Sequence, residues 1–292
     1  MKKARAGAVL FLLLFSFVGP SCSPKTEEEC FQRADALFVD GRFEEAVETY
    51  HRYLVRFPNG RRRDQALFRS GEILYYTLGR RAPAVRHFGQ VIGQHPQGEY
   101  AYRAHVIMAG VFRDEIKDYL RAVLEYKWLI MQRPEDPAAQ DFQFQIARCY
   151  LMAGEYEQAV LEFGRLVEQY PDSNLLDRVY DELGGTYLIL GQPQQALYIY
   201  QRLIEDFPKS PLRLAAEFKK GNALEEMHRY PEALEVYEEL LGRYDNRPAV
   251  EVRIAGVKER QKQKLGEVKK VDYDYLPDED GETMKNYKKE KK

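Results

Sequence analysis

The chain has 292 residues, enough for one large or two ordinary domains, and a formal net charge of −2. Its 44 Lys and Arg balance 46 Asp and Glu, which argues against a dedicated nucleic-acid binder. The 21 Tyr and 15 Phe sit mostly at repeating positions, as packing residues do, rather than as base-stacking platforms.

Residues 1–21 read as a secretory signal segment. Lys2, Lys3 and Arg5 form a positive start. Ala8 to Val18 is apolar apart from Ser16, a run too short to span a bilayer comfortably. Gly19, Pro20 and Ser21 lead to Cys22. A small residue followed by Cys resembles a bacterial lipoprotein signal, in which the Cys becomes the acylated N-terminus. The position three before the Cys, usually Leu, is Gly19 here. Ordinary cleavage after Ser21 is the other reading, with Gly19 and Ser21 as the small residues. On the lipoprotein reading Cys22 is the lipidation site, and residues 22–26 are a tether. Two or more acyl groups anchor a protein stably, whereas one holds it only marginally.

From residue 27 to residue 246 one pattern recurs. Ala46, Ala84, Ala122, Ala159, Ala196 and Ala233 are spaced by 38, 38, 37, 37 and 37 residues. Four residues after each Ala stands an aromatic: Tyr50, Phe88, Tyr126, Phe163, Tyr200 and Tyr237. Twelve after it comes Pro58, Pro96, Pro134, Pro171 or Pro208, with Asp245 in the sixth copy. Five before it stands Gly41, Gly79, Gly154 or Gly191, with Lys117 and His228 in the other two. The apolar spacing within each copy is helical, and Pro closes each run. Six copies at this period predict an all-α array of two-helix repeats. The Ala, aromatic and Pro positions resemble the tetratricopeptide repeat, lengthened here by about one helical turn. The resemblance implies a right-handed superhelical solenoid of about six long repeats.

Each first helix has its own apolar stripe, such as Phe142, Ile146, Ala147, Tyr150 and Leu151 in the fourth copy. Asp172 or Ser173, and Ser210, stand where a helix N-cap is wanted. The third copy has no Gly at its turn, Asp114 to Asp118, which leaves room for an insertion or a longer helix. Pro248 opens a capping helix over 247–265 with a very polar end. Residues 266–292 carry an acidic block and then a basic one, with Tyr273, Tyr275 and Leu276 as the apolar anchors, and read as a disordered tail.

No catalytic or metal-binding motif is present, and no cofactor is expected. There is no phosphate-cradling Gly-rich loop, no H-E-x-x-H and no C-x-x-C. Cys30 and Cys149 lie three repeats apart on helical stripes and read as small buried hydrophobes. Arg61, Arg62 and Arg63 read as a solvated inter-repeat turn, or alternatively as a phosphate or headgroup patch. Function is expected on the repeat surface, without enzymatic activity.

Gly41 to Asn59, Ala66 to Tyr76 and His95 to Tyr102, together with the signal and Cys22, resemble the tetratricopeptide-repeat lipoproteins of Gram-negative outer membranes. Within them the likeness is to the BamD-type lipoproteins of the β-barrel assembly machinery. It is specific over repeats one to three and generic afterwards; six repeats stand here where that family has five. The periplasmic partners of the Tol–Pal system share the long repeat but follow a coiled coil, and no heptads precede repeat one here. The resemblance implies a scaffold anchored to the outer membrane and facing the periplasm. Its implied partners are other envelope assembly proteins or unfolded barrel-protein peptides, with no nucleic acid. The family-like groove positions are Arg69, Ile73, Tyr76, Phe144, Arg148, Met152, Asp181 and Asn222. Ordinary inter-helix packing is the alternative for Phe144 and Met152. A cell-wall or division scaffold is the alternative function.

Overall fold

The structure is a computed structural model that describes residues 26–275, with side chains as far as Lys264. The signal segment, Cys22 and residues 276–292 lie outside the described residues. The described part is helical, with no strand among the described residues. It falls into two compact units, one ending at His105 and the other starting at Val106.

The first unit holds α1 (Glu27–Val39), α2 (Phe43–Arg56), α3 (Arg63–Glu72) and α4 (Arg81–Gln94). Helix α5 (Glu99–Gly110) begins in it. The second unit continues with α6 (Tyr119–Gln132), α7 (Ala139–Ala153), α8 (Tyr156–Gln169) and α9 (Leu176–Ile189). It ends with α10 (Pro193–Asp206), α11 (Arg213–Glu226), α12 (Tyr230–Leu240) and α13 (Arg247–Tyr275). Each helix of the second unit from α6 onward packs on its neighbour in sequence. The capping helix, expected to close near Leu265, is described as far as Tyr275.

The recurring residues have definite jobs. All six repeat Ala residues are fully buried, and the aromatics four positions later are buried with them. Opposite them on the first helices stand Ala34, Gly71, Ala109, Ala147, Gly184 and Gly221, a second column of small residues, also buried. At Gly184 a Cβ would lie 2.6 Å from the Tyr200 ring, and at Gly221 2.5 Å from the Tyr237 ring. Small residues on both helices therefore let each aromatic lie against the facing backbone.

The second helices end as their sequence dictates. Phe57, His95, Arg133, Tyr170 and Phe207 each precede a Pro and leave helical geometry, with φ between −140° and −123°. Ser173 and Ser210 do not cap α9 and α11, contrary to expectation. The N-cap residues there are Leu175 and Leu212. Each Ser hydroxyl instead accepts from the amide two residues on, at 3.2 and 3.1 Å, and shapes the turn before the helix.

The turn inside each repeat is left-handed in all six copies. Gly41, Gly79, Gly154 and Gly191 have positive φ, and so do Lys117 (59°) and His228 (58°) in the two copies without Gly. For a non-Gly residue this conformation costs about 1–2 kcal/mol. Repeats two and three hold one residue more than the others between the small residue of the first helix and this turn. In both, the first helix closes with π-helical winding, Ile73–Thr77 and Val111–Ile116. A π turn absorbs one inserted residue without breaking the helix. The 38-residue spacings are thus the mark of these two π turns.

Candidate peptide-binding surface

Neighbouring first helices are joined by side chains one repeat apart. Arg62 lies over the Phe31 ring at 4.8 Å, Arg103 over Phe68 at 4.4 Å and Arg178 over Phe144 at 4.7 Å. In repeat five the equivalent of these Phe residues is Asp181, and Lys219 of the next first helix meets it at 2.6 Å. Asp181 is therefore held in an inter-repeat ion pair. Asn222 is also engaged: it accepts the Tyr237 hydroxyl at 2.7 Å.

The other sequence candidates separate by burial and by unit. In the first unit, Ile73 is only 3% exposed and belongs to the core, which removes it from a peptide-facing surface. Arg69 is half-exposed, 3.9 Å from Asp35. Tyr76 is 66% exposed and makes an edge contact with Tyr75. Arg69 and Tyr76 lie seven residues apart, a spacing that α-helical winding would put on one face; the π turn at Ile73–Thr77 offsets that register. In the second unit, Phe144 is 1% exposed and packs on Phe163, so it too is interior. Arg148 is half-exposed and 3.5 Å from Glu182. Met152 is 57% exposed.

Arg148 and Met152 line a cleft of about 260 Å³ with Arg113, Asp114, Lys117 and Cys149. Arg113 grips Asp114 with two hydrogen bonds, at 2.7 and 2.6 Å, and donates to the Tyr126 hydroxyl at 2.9 Å. This fork holds the Asp114 carboxyl below the usual range. Burial pushes the Cys149 thiol up to about 11, so it stays protonated near neutral pH. Cys30, in the other unit, is likewise buried and free.

A larger cleft of about 600 Å³ lies in the first unit, lined by Asn59, Arg61, Arg63, Asp64 and His95. It takes in part of the Arg61–Arg63 run, but that run is largely committed. Arg62 pairs with Glu28 at 3.1 Å, and Arg63 donates to the Leu54 carbonyl and to Gln94. A third cleft, of about 380 Å³, lies over α10 and α12 and is lined by Gln201, Lys220, Glu235 and Glu239 among others.

Sequence reasoning missed Lys117 and Arg113 as cleft residues. The available signal was the absence of Gly at a position where four other repeats have it. Among the described residues no group of His, Cys, Asp and Glu is placed to hold a metal, and no helix is long and apolar enough to cross a membrane.

One tetratricopeptide repeat model matches residues 31–60, 65–98 and 141–173, and a second matches 182–249. No curated protein sequence matches this one. A solved tetratricopeptide repeat protein from Parabacteroides merdae is 16% identical, with 82% of this protein and 88% of that one covered and a TM-score of 0.50. The structure of Naa15/Naa10 bound to HypK-THB is 16% identical, with 82% of this protein and 35% of that one covered and a TM-score of 0.53. PilW, a type IV pilus biogenesis factor, is 14% identical over 80% of this protein and 98% of its own length, with a TM-score of 0.48. At these identities the likeness is one of fold.

Proposed function

The chain belongs to the tetratricopeptide-repeat family, and from that premise we propose that it is a non-enzymatic scaffold of the bacterial envelope, anchored by lipid to the outer membrane and facing the periplasm. Its repeats mediate protein–protein interaction. The finer reading is that it serves assembly of outer-membrane β-barrel proteins, holding partner subunits or unfolded substrate peptides. The observation that carries the envelope reading is in the sequence: a positive start, an apolar run from Ala8 to Val18, and then Cys22 directly before a polar segment. The barrel-assembly reading rests on the likeness of repeats one to three to lipoproteins of that machinery.

The structure supports a binding role through what its surface presents. Arg69 and Tyr76 in one unit, and Arg148 and Met152 in the other, stand outside the core. A guanidinium takes a carboxylate by paired hydrogen bonds, and exposed Tyr or Met adds apolar contact. Extended or helical peptides bind repeat surfaces through such alternating contacts.

Fractionation tests the envelope reading. The wild-type protein should sediment with membranes and carry acyl mass on Cys22. Cys22→Ser should move to the soluble fraction with its helicity unchanged, since the repeats are untouched. A wild-type protein already soluble, or without acyl mass, would contradict the anchor.

A further inference from the structure

We propose that the cleft between the π-helical end of the third repeat's first helix and α7 is a site for a peptide carboxylate beside an apolar side chain, with Lys117 and Arg148 taking the charge and Met152 the apolar group. The inference rests on the scaffold reading above and names the ligand chemistry for one place on the surface.

Lys117 is the starting point. It adopts φ 59° in a turn where four of the six repeats use Gly. His228, the other exception, has a side chain in use: its Nδ1 lies 3.0 Å from the Tyr230 hydroxyl. Lys117 has no such partner among the described residues and is exposed. A left-handed backbone that places a charged side chain at a cleft, with no partner for it among the described residues, points to a ligand there. The π-helical turn Val111–Ile116 just before it brings Arg113 and Asp114 to the same cleft, and such turns are frequent at functional sites.

The charge of the cleft selects an anion. Of the charged residues that line it, Arg113, Lys117 and Arg148 stand against the one carboxylate of Asp114, with Glu182 beside Arg148. Arg113 is fully committed to Asp114 and Tyr126, so it forms a fixed wall. Arg148 is only loosely held, 3.5 Å from Glu182, and its fork has donors to spare. Lys117 is uncommitted. Met152 stands exposed beside them, an adaptable apolar contact. About 260 Å³ admits one or two side chains rather than a cofactor. Cys149 is fully buried and gives the cleft a small apolar wall.

An acidic side chain or the free C-terminus of a peptide supplies the same carboxylate, and the test separates them. Two dye-labelled peptides are titrated into the full-length protein by fluorescence anisotropy. One has an internal Leu-Glu pair and an amidated end; the other ends in Leu with a free carboxylate. Gln and amide counterparts are the neutral controls. At least one carboxylate peptide should bind about tenfold or more tighter than its neutral control, the scale of one charge-assisted hydrogen bond. Whichever arm binds identifies the source. Lys117→Gly should weaken that binding about tenfold while raising the melting temperature, because it removes the ammonium and relieves the turn. Arg148→Gln should weaken it similarly at unchanged melting temperature. Equal binding by both variants and wild type, or by neutral and charged peptides, overturns the proposal. Binding lost in Arg69→Glu alone places the peptide in the other unit, which overturns this site and leaves the scaffold reading standing. A wild-type protein that binds neither carboxylate peptide overturns the site as well.

Discussion

Tyr237 gives its hydroxyl proton to Asn222 at 2.7 Å, one residue beyond the small Gly221 against which its ring lies. In repeat one the Tyr50 hydroxyl reaches Asp35 at the same position. In repeat five that position is Gly185, and the buried Tyr200 hydroxyl has no acceptor among the described residues. In repeat three, where the position is Gly110, Arg113 supplies the partner instead. In repeats two and four the aromatic is Phe and needs none.

Gly185→Asn should therefore stabilise the protein. An added Cβ at Gly185 meets only the Tyr200 hydroxyl, at 3.8 Å, so there is room. The gain expected is about 1 kcal/mol for the hydrogen bond, plus the helix preference of a non-Gly residue. Thermal melting checks it, and an unchanged or lower midpoint would contradict it. Tyr200→Phe should be close to neutral, since it removes a hydroxyl that has no partner. Tyr237→Phe should cost about 1 kcal/mol, since it leaves Asn222 without its donor.

The small-residue column predicts the opposite sign one position earlier. Gly184→Ala places a methyl 2.6 Å from the Tyr200 ring, in a fully buried contact. Overpacking of this kind costs about 1–3 kcal/mol. Ala159→Phe, on the second helix of repeat four, should do the same by forcing α7 and α8 apart. Denaturant midpoints measure both. Unchanged midpoints would mean that these helices do not approach as closely as described.

Glu162 should make stability fall in acid. Its side chain is 3% exposed, and Gln143, Lys127 and Arg165 from three helices converge on it at 2.8–3.0 Å. Burial alone would raise its carboxyl. The hydrogen bonds from Gln143 and Lys127 and the nearby charges outweigh burial and hold it lowered. A carboxyl lowered in the folded state stabilises fully above its unfolded value, about 4.3. That contribution is lost as pH falls through the still lower folded value. Melting temperature should thus drop below about pH 4.3, and less steeply in Glu162→Gln. Parallel acid profiles for the two proteins would exclude Glu162 as a source of the effect.

The repeat was legible because burial enforces it at fixed intervals. The Ala, aromatic, Gly and Pro columns predicted the helix pairs, the helix ends and the turns at the four Gly residues; the left-handed turns at Lys117 and His228, where Gly is absent, are seen in the structure alone. The π turns were not legible, since one extra residue leaves the apolar stripe almost unchanged; its trace was the 38-residue spacing. Ser173 and Ser210 looked like caps because the same hydroxyl chemistry serves caps and turns. The site residues were the hardest to read. Asp181 meets Lys219 and Phe144 meets Arg178 across one repeat, and such pairs become visible only once the helices are stacked. Ile73 and Phe144 stand at family-like groove positions, with ordinary packing as the alternative for Phe144; both are buried in their own repeats.

Affinity purification of the wild-type protein from detergent-solubilised envelopes, read by mass spectrometry, decides between the barrel-assembly and cell-wall readings. β-Barrel assembly subunits should co-purify, with unfolded barrel-protein segments among the captured material. Recovery of Pal or peptidoglycan enzymes in their place would contradict the barrel-assembly reading and make this a cell-wall or division scaffold. Recovery of no envelope protein at all would contradict the scaffold function itself.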